Sequence, residues 1–217
     1  MKTMLTESLT LSSDMPLSRM RNKMLKRCFD IAFSLLFLCT VFPFILIVVF
    51  IVTECTMPGR LFFVQKRTGL GGKTFDCYKF RTMKQNADSG SLQATKHDKR
   101  ITRWGHIMRK TNLDETPQFI NVLLGNMSVV GPRPHMVKHT EEYSKLIDGY
   151  MMRHRVKPGV TGWSQINGFR GETKRLADMK NRIKYDLWYI EHWRFALDLF
   201  IIQKTFFKSF GNDNNAY

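Results

Sequence analysis

The apolar run "IAFSLLFLCTVFPFILIVVFIV", residues 31–52, decides the fold of this chain. Its 22 residues carry no charge, which is enough for a helix that enters a bilayer and too apolar all round for a helix of a soluble protein. Pro43 lies near the middle of the run. Because proline removes a backbone hydrogen bond and clashes with the preceding turn, we expect a kink at residues 39–43.

Basic residues flank this apolar run on both sides. They are Arg21, Lys23, Lys26 and Arg27 before it, and Arg60, Lys66 and Arg67 after it. Positive charge next to a membrane segment favours the cytoplasmic face, so both ends are drawn to the same side. A helix that enters, bends at Pro43 and returns satisfies both flanks, whereas a straight span satisfies one. A kinked transmembrane anchor is the alternative that these residues leave open.

The composition of the whole chain limits the class of protein. The 217 residues allow one domain with appendages, and 34 Lys and Arg against 18 Asp and Glu give a net charge of +16. The partner is therefore expected to be an anion: nucleic acid, an acidic membrane surface or a phosphorylated substrate. The four cysteines are scattered without metal-site spacing, which indicates reduced thiols in a cytoplasmic setting. Residues 1–20 lack the apolar core of a signal peptide.

Regular elements can be predicted on either side of a polar loop at 85–100. Strand-like segments at 61–67 and 74–80 around a glycine-rich turn predict a β-hairpin that carries Lys79 and Arg81. Further helices are predicted from Ile101 or Thr102 to Lys110, from about Glu115 to Leu124, and, as one helix or a pair, over 176–210. The last segment mixes aromatic and lysine side chains, as helices in a membrane interface do.

The stretch "NLDETPQFINVLLGNMSVVGPRP", residues 112–134, sets two adjacent acids in a basic chain. Acids in a first helical turn are stabilised by free N–H groups, which alone would explain Asp114 and Glu115. Arg109 precedes the pair, however, and Arg133 follows it between two prolines. A carboxylate nucleophile, phosphate-binding cations and a second carboxylate suited to Mg²⁺ are the components of a phosphoryl-transfer site.

Four motifs make the sequence recognisable. In chain order they are "YKFRTM", "LDETPQFINVLLGNMSVVGPRP", "RHRVKPGVTGWSQING" and "YDLWYIEHWRFALDL". Following a proline-broken apolar run, they resemble the bacterial sugar transferases, the monotopic polyprenyl-phosphate phosphoglycosyltransferases, over residues 23–210. "GETKRLADM" and "NNAY" look most like the catalytic portion of undecaprenyl-phosphate glucose phosphotransferases.

The resemblance implies an α-dominated α+β fold at the cytoplasmic face of the bacterial inner membrane, with a small β-hairpin and amphipathic interfacial helices. We divide the chain into a polar segment at 1–22, a re-entrant helix-break-helix at 23–56, a catalytic domain at 57–211 and a tail at 212–217. The composition of the first segment leads us to expect that it is mobile or lies on a surface. Two positions depart from the family pattern. Phe42 precedes Pro43 where the family commonly has serine, and Asn126 replaces the usual aspartate after Gly125.

The resemblance also implies a reaction and its residues. Asp114 would attack the β-phosphate of a UDP-sugar, release UMP and pass the sugar phosphate to undecaprenyl phosphate, the initiating step of exopolysaccharide or capsule synthesis. Glu115 would bind Mg²⁺. The residues expected to bind substrate or phosphate are Lys79, Arg81, Arg109, Arg133, Gln165 and Asn167. Asp198 is expected to orient a basic partner. UDP-glucose is the favoured donor, followed by UDP-galactose and then by an N-acetylated or diamino sugar.

Two other functions remain as alternatives. A membrane-anchored nucleic-acid-binding protein would need a continuous basic stripe with stacking aromatic residues, which the sequence lacks, so no nucleic-acid partner is predicted. A non-catalytic scaffold of a polysaccharide assembly complex would tolerate loss of Asp114 and Glu115, and both acids are present. A homo-oligomer is left open by the sequence.

Overall fold

The computed structural model describes residues 15–84, 98–171 and 175–210, and this part of the chain is dominated by helices. The helices are α1 Met20–Thr40, α2 Phe42–Thr56, α3 Arg103–Lys110, α4 Gln118–Leu123, α5 Val137–Leu146, α6 Trp163–Ile166, α7 Leu176–Glu191 and α8 Phe195–Phe210. The strands are β1 Phe62–Thr68, β2 Thr74–Phe80, β3 Ser128–Val130 and β4 Gly159–Thr161. The predicted loop lies mostly outside the described residues, as does the predicted tail, and the predicted domain boundaries stay predictions.

The apolar run forms two helices that meet at Val41. Helices α1 and α2 are bent by 51° relative to each other, and the break falls inside the predicted interval 39–43. Pro43 lies in the first turn of α2, where its missing N–H has no intrahelical partner to lose. Proline thus starts a second helix here. Among the described helices none is by itself long and apolar enough to cross a bilayer, and only the bent pair together meets that criterion.

Helix α1 buries three polar side chains and leaves several large apolar side chains exposed, which is unusual for a helix of a soluble protein. Lys26, Asp30 and Ser34, spaced four residues apart, are buried against the rest of the molecule. Asp30 Oδ1 accepts hydrogen bonds from Ser128 Oγ and from the Val129 N–H, both at 2.9 Å, which attaches α1 to β3. Large apolar side chains of the pair are exposed, among them Leu35, Leu36, Phe44, Ile47, Val48, Phe50 and Ile51.

The predicted hairpin is confirmed, and a second sheet accompanies it. Strands β1 and β2 pair antiparallel, and Gly71 and Gly72 supply the left-handed turn between them with φ of 64° and 78°. Strands β3 and β4 pair in parallel, in the register Ser128↔Gly159. Each has three residues, which is too short for an alternating pattern to be read from the sequence.

The main core lies between α1, β3, α7 and α8. Its buried members include Val122, Met127, Val130, Tyr189, Ile190 and Ile201. Leu17, only 7% exposed, belongs to the same cluster. The expectation that residues 1 to about 22 are mobile or lie on a surface is therefore wrong for Leu17, because a 3₁₀ turn at Pro16–Ser18 directs it into the core.

Candidate active site

The two acids lie in a tight turn. Asp114 and Glu115 belong to a 3₁₀ turn at Leu113–Glu115, and Asn112 before them adopts the left-handed conformation with φ of 63°, which asparagine tolerates better than most residues. Helix α4 begins only at Gln118, after Pro117. The predicted helix is therefore present but begins at Gln118 and not at about Glu115, since proline is accommodated at a helix start and not inside one.

Glu115 is the point where cationic side chains converge. Its Oε1 accepts hydrogen bonds from Lys79 Nζ at 2.7 Å and from Arg133 Nη2 at 2.6 Å. Its Oε2 accepts from Arg133 Nη1 at 3.1 Å, and Arg170 Nη2 lies 3.5 Å away. Arg133 thus binds the carboxylate in the two-pronged geometry that is strongest for guanidinium groups. The sequence predicted Lys79 and Arg133 for the site, and the fold brings both into contact with Glu115.

These cations determine the charge of Glu115. The side chain is 5% exposed, and burial alone would raise its pKa. The opposing effects of Arg133, Lys79 and Arg170 outweigh burial and lower the pKa of Glu115 well below its usual value. Glu115 is therefore a fixed negative charge inside a positive ring.

Asp114 has a different environment from its neighbour. It is 7% exposed, and within the described residues no group donates a hydrogen bond to its carboxylate. Burial raises the pKa of Asp114 and the charge of Glu115 raises it further, while Lys79, Arg109 and Arg170 act in the opposite direction. The result is a largely buried carboxylate next to positive charge, which is suited to nucleophilic attack on a phosphorus atom.

Hydrogen bonds from helix α4 fix the position of Lys79. The Asn121 side chain, fully buried, accepts from the Tyr78 N–H at 2.9 Å and donates to the Asp76 carbonyl at 2.7 Å. Asn121 thereby bonds to β2 as a neighbouring strand would, and holds the strand beside the turn that carries Glu115. Sequence reasoning missed Asn121, although a polar residue inside the apolar run "FINVLL" is a detectable signal.

Arg109 reaches the site from α3. Thr102 caps this helix by accepting a hydrogen bond from the Gly105 N–H at 2.9 Å. In the last turn, Arg109 Nε donates to Thr82 Oγ1 at 2.9 Å, and its charge acts on Asp114. The fold thus places Arg109 beside the acid pair that follows it in sequence.

Three of the other predicted binding residues make contacts elsewhere. Arg81 is buried and donates to the Met57 carbonyl at the end of α2. Gln165 donates to the Val160 carbonyl at 3.2 Å, and Asn167 donates to the Trp163 carbonyl at 2.8 Å.

Asp198 contacts Lys26, a basic residue of helix α1. Its Oδ2 accepts from Lys26 Nζ at 2.5 Å and from Trp193 Nε1 at 3.1 Å, and its Oδ1 accepts from the Tyr189 hydroxyl at 2.7 Å. This network joins α1 to the C-terminal helices.

Arg170 is a site residue that sequence reasoning missed. It lies in "NGFRGE", between Gly168 and Gly171 in the irregular connection after α6. A cation flanked by glycines in a long loop is a weak signal, and only the tertiary contact with Glu115 identifies it.

The acids can be tested for their fit to Mg²⁺. Among the described residues, no group of three or more His, Cys, Asp or Glu side chains is arranged to hold a metal ion. Mg²⁺ commonly binds proteins through one or two carboxylates and takes its other ligands from substrate phosphates and water. A single ligand from Glu115 fits that mode, since its Oε2 makes only the two longer contacts.

Comparison with known proteins agrees with the motifs. The family described as "Bacterial sugar transferase" matches residues 21–212. The chain therefore belongs to the bacterial sugar transferase family, as its motifs predict.

Individual relatives carry related names. The chain is 48% identical over 200 residues, 92% of its length, to the UDP-glucose:undecaprenyl-phosphate glucose-1-phosphate transferase of Escherichia coli (strain K12), and spans 43% of that protein. It is 44% identical to an exopolysaccharide production protein of Rhizobium leguminosarum bv. phaseoli, covering 83% of this chain and 92% of that one. It is 41% identical to the UDP-N-acetylgalactosamine-undecaprenyl-phosphate N-acetylgalactosaminephosphotransferase of Aeromonas hydrophila, over 68% of this chain and 35% of that protein. The match to the E. coli protein thus covers less than half of its length.

Proposed function

We propose that this protein transfers a sugar-1-phosphate from a UDP-sugar to undecaprenyl phosphate and releases UMP, as the initiating step of exopolysaccharide or capsule synthesis. One observation carries the proposal. Asp114 is a buried carboxylate without a hydrogen-bond donor among the described residues, and it lies next to a carboxylate that three cationic side chains surround. The names of the relatives support the same class of donor and acceptor.

The reaction would proceed in two displacements at one phosphorus atom. A carboxylate oxygen of Asp114 attacks the β-phosphorus of the donor, and the bond from that phosphorus to the bridging oxygen breaks as UMP leaves. A phosphate oxygen of undecaprenyl phosphate then attacks the same phosphorus, and the bond to Asp114 breaks. The covalent intermediate lets one site serve a soluble donor and a lipid acceptor in turn.

The cations around the acids would stabilise the charge on the phosphates. Arg109 and Arg170 act electrostatically on Asp114, and both lie where a diphosphate bound at Asp114 would need positive charge. Lys79 and Arg133 keep Glu115 in place. Mg²⁺ bound to Glu115 would offset the negative charge of the pyrophosphate.

We also propose that α1 and α2 form a re-entrant membrane element, with the catalytic residues at the cytoplasmic face of the inner membrane. The two helices have 21 and 15 residues and are bent by 51°. If both outer ends lie at one membrane surface, the bend reaches a depth of about 10–13 Å, less than half of a hydrocarbon core of about 30 Å. The exposed apolar side chains and the basic flanks support this arrangement.

The donor sugar proposed first is glucose. The E. coli relative is named for UDP-glucose, whereas the Aeromonas relative is named for UDP-N-acetylgalactosamine. The family therefore includes different donor sugars, and a donor panel is needed to choose among them.

The test is UMP release by the purified protein in detergent or lipid nanoparticles. UDP-glucose, UDP-galactose and UDP-N-acetylated sugars would each be supplied with undecaprenyl phosphate and Mg²⁺, and the Asp114→Asn variant would be assayed in parallel. We expect release with one preferred sugar, and loss of release in the variant. If no UDP-sugar yields UMP, the proposal is wrong and the scaffold function becomes the better one. If the variant equals the unmodified protein, Asp114 is not the nucleophile.

A further inference from the structure

The backbone carbonyls of Arg133, Pro134 and His135 each accept a hydrogen bond, the first from Arg153 and the other two from the end of β1. The Arg133 carbonyl accepts from Arg153 Nη2 at 2.7 Å, and the Pro134 carbonyl accepts from Arg67 Nη1 at 3.1 Å. The His135 carbonyl accepts from the Thr68 N–H at 3.0 Å. The segment 133–135 is thus fixed at every residue.

Arg153 is held by a buried ion pair. Its Nε and Nη2 donate to Asp186 Oδ2 at 3.2 and 2.7 Å, and both side chains are 1% exposed. The second oxygen of Asp186 accepts from Ser164 Oγ at 2.7 Å. The guanidinium also lies over the ring of Tyr150, 5.6 Å from its centroid. Arg153 therefore has little freedom to turn away from the Arg133 carbonyl.

A buried ion pair is weak evidence for stability, because apolar side chains of the same volume often stabilise a fold as well or better. The pair of Arg153 and Asp186 has a further consequence that apolar side chains could not reproduce. One nitrogen of Arg153 bonds both to Asp186 and to the carbonyl of Arg133. The side chain of that same Arg133 binds both oxygens of Glu115.

We propose that Arg153, oriented by Asp186, is a positioning residue for the transfer reaction, because it fixes the Arg133 backbone and thereby directs the Arg133 guanidinium onto Glu115. Pro132 and Pro134 flank Arg133 and restrict the backbone on both sides, so an anchor at one carbonyl sets the direction of the side chain. The inference rests on the proposed function. It assigns a role to the "RHR" and "YDLWY" motifs, which the proposed chemistry does not use.

The experiment is a double-mutant cycle on kcat/KM for UMP release from the preferred UDP-sugar. Asp186→Asn and Arg133→Gln are made singly and together. If Asp186 acts through Arg133, its substitution lowers kcat/KM about tenfold in the unmodified protein and less than about twofold in the Arg133→Gln background. A merely structural role would give the same loss in both backgrounds, and that result would overturn the proposal.

Asp198→Asn is the matched control. Asp198 is a second fully buried carboxylate on a C-terminal helix with a cationic partner, and its side chain makes no described contact with residues 131–135. Its effect on kcat/KM should be the same with and without Arg133→Gln, since among the described contacts it shares no hydrogen-bond partner with Arg153 or Arg133.

Folding is checked by the unfolding temperature of each variant. If Asp186→Asn does not fold, Arg153→Lys and Ser164→Ala enter the same cycle, because each weakens the anchor without removing the Asp186 carboxylate. If the unmodified protein releases UMP and the losses caused by Asp186→Asn and Arg133→Gln are independent of each other, only the positioning role is overturned. No release by the unmodified protein overturns the proposed function, and the positioning role with it.

Discussion

Two buried acids of this protein, Asp198 and Asp114, differ in how their oxygens are used. Asp198 accepts hydrogen bonds from Lys26, Tyr189 and Trp193. Asp114 accepts none within the described part of the chain. Burying a carboxylate without hydrogen bonds is costly. The hydrogen-bonded Asp198 therefore stabilises the fold, whereas Asp114 remains reactive and lowers the stability of the fold.

Their neighbours extend the contrast. Glu115 adjoins Asp114 and attracts Lys79, Arg133 and Arg170. The cations that would otherwise pair with the nucleophile are thereby kept close to it without being bonded to it. A folded protein can thus keep a carboxylate free of ion pairs when a second acid forms the ion pairs with the surrounding cations.

The largest expected effect comes from removing the nucleophile. Asp114→Asn should lower the rate of UMP release at least about 1000-fold, equivalent to about 4 kcal/mol in the barrier. Its unfolding temperature should not fall, since the variant removes a buried charge without a hydrogen-bond donor. Asp178→Asn, at a half-buried position in the first turn of α7, is the control and should keep both properties. A large loss of stability in Asp114→Asn would show that Asp114, like Asp198, stabilises the fold, and would contradict the account.

The reciprocal change tests the architectural acid. Lys26→Met leaves Asp198 buried without its cation and should cost about 3–5 kcal/mol of unfolding free energy. The measurement is unfolding in detergent by denaturant or heat. Adding Asp198→Asn to the same protein should recover part of that loss, because the unpaired charge is then removed. An unchanged unfolding temperature in Lys26→Met would show that this network does not stabilise the fold.

Much of the fold could be predicted from the sequence, for identifiable reasons. The break at residues 39–43 follows from the geometry of Pro43, and the hairpin follows from strand-like segments around glycines that adopt positive φ. The parallel pair of β3 and β4 could not be predicted, because its two strands are short and separated by α5. Helix α4 was predicted too long because Pro117 was not given its weight as a helix start.

The site was predictable where charge and motif coincide. Asp114, Glu115, Lys79 and Arg133 are gathered as their motifs suggest. Arg170 could not be recognised, because its role depends on a loop returning to Glu115.

The next effect compares the two arginines on Glu115. Arg133→Lys should lower kcat/KM about 30-fold, since an ammonium cannot replace two parallel hydrogen bonds, a change of about 2 kcal/mol. Arg170→Lys should cost less, because its contact of 3.5 Å is not two-pronged. Steady-state kinetics on the preferred donor, with undecaprenyl phosphate saturating, would measure both. An equal or larger loss in Arg170→Lys would contradict the greater importance of the two-pronged contact between Arg133 and Glu115.

The smallest expected effect is the pH dependence of stability that His154, next to Arg153, contributes. Burial and the neighbouring Arg153 lower the pKa of His154 to about 4, below its usual 6.5. Between pH 6.5 and about 4, His154 is therefore protonated in the unfolded chain and neutral in the folded protein. The free energy of unfolding consequently decreases as the pH is lowered from 6.5 towards 4. His154 alone should contribute about 1 kcal/mol of that loss between pH 6.5 and 5.5. The His154→Gln variant, followed by thermal unfolding at both values, should show a correspondingly weaker pH dependence, and an identical dependence would contradict the pKa shift.

The central claim is that Asp114 becomes covalently bonded to the transferred phosphorus. Intact-protein mass spectrometry after incubation with UDP-sugar and Mg²⁺, without a lipid acceptor, tests it most directly. The account predicts a mass increase of one sugar phosphate and one UMP released per protein molecule, both absent in Asp114→Asn. Adding undecaprenyl phosphate should then remove the mass increase, as the sugar phosphate passes to the lipid, and allow further UMP release. UMP release that requires the lipid acceptor from the start, with no adduct on the protein, would contradict the account.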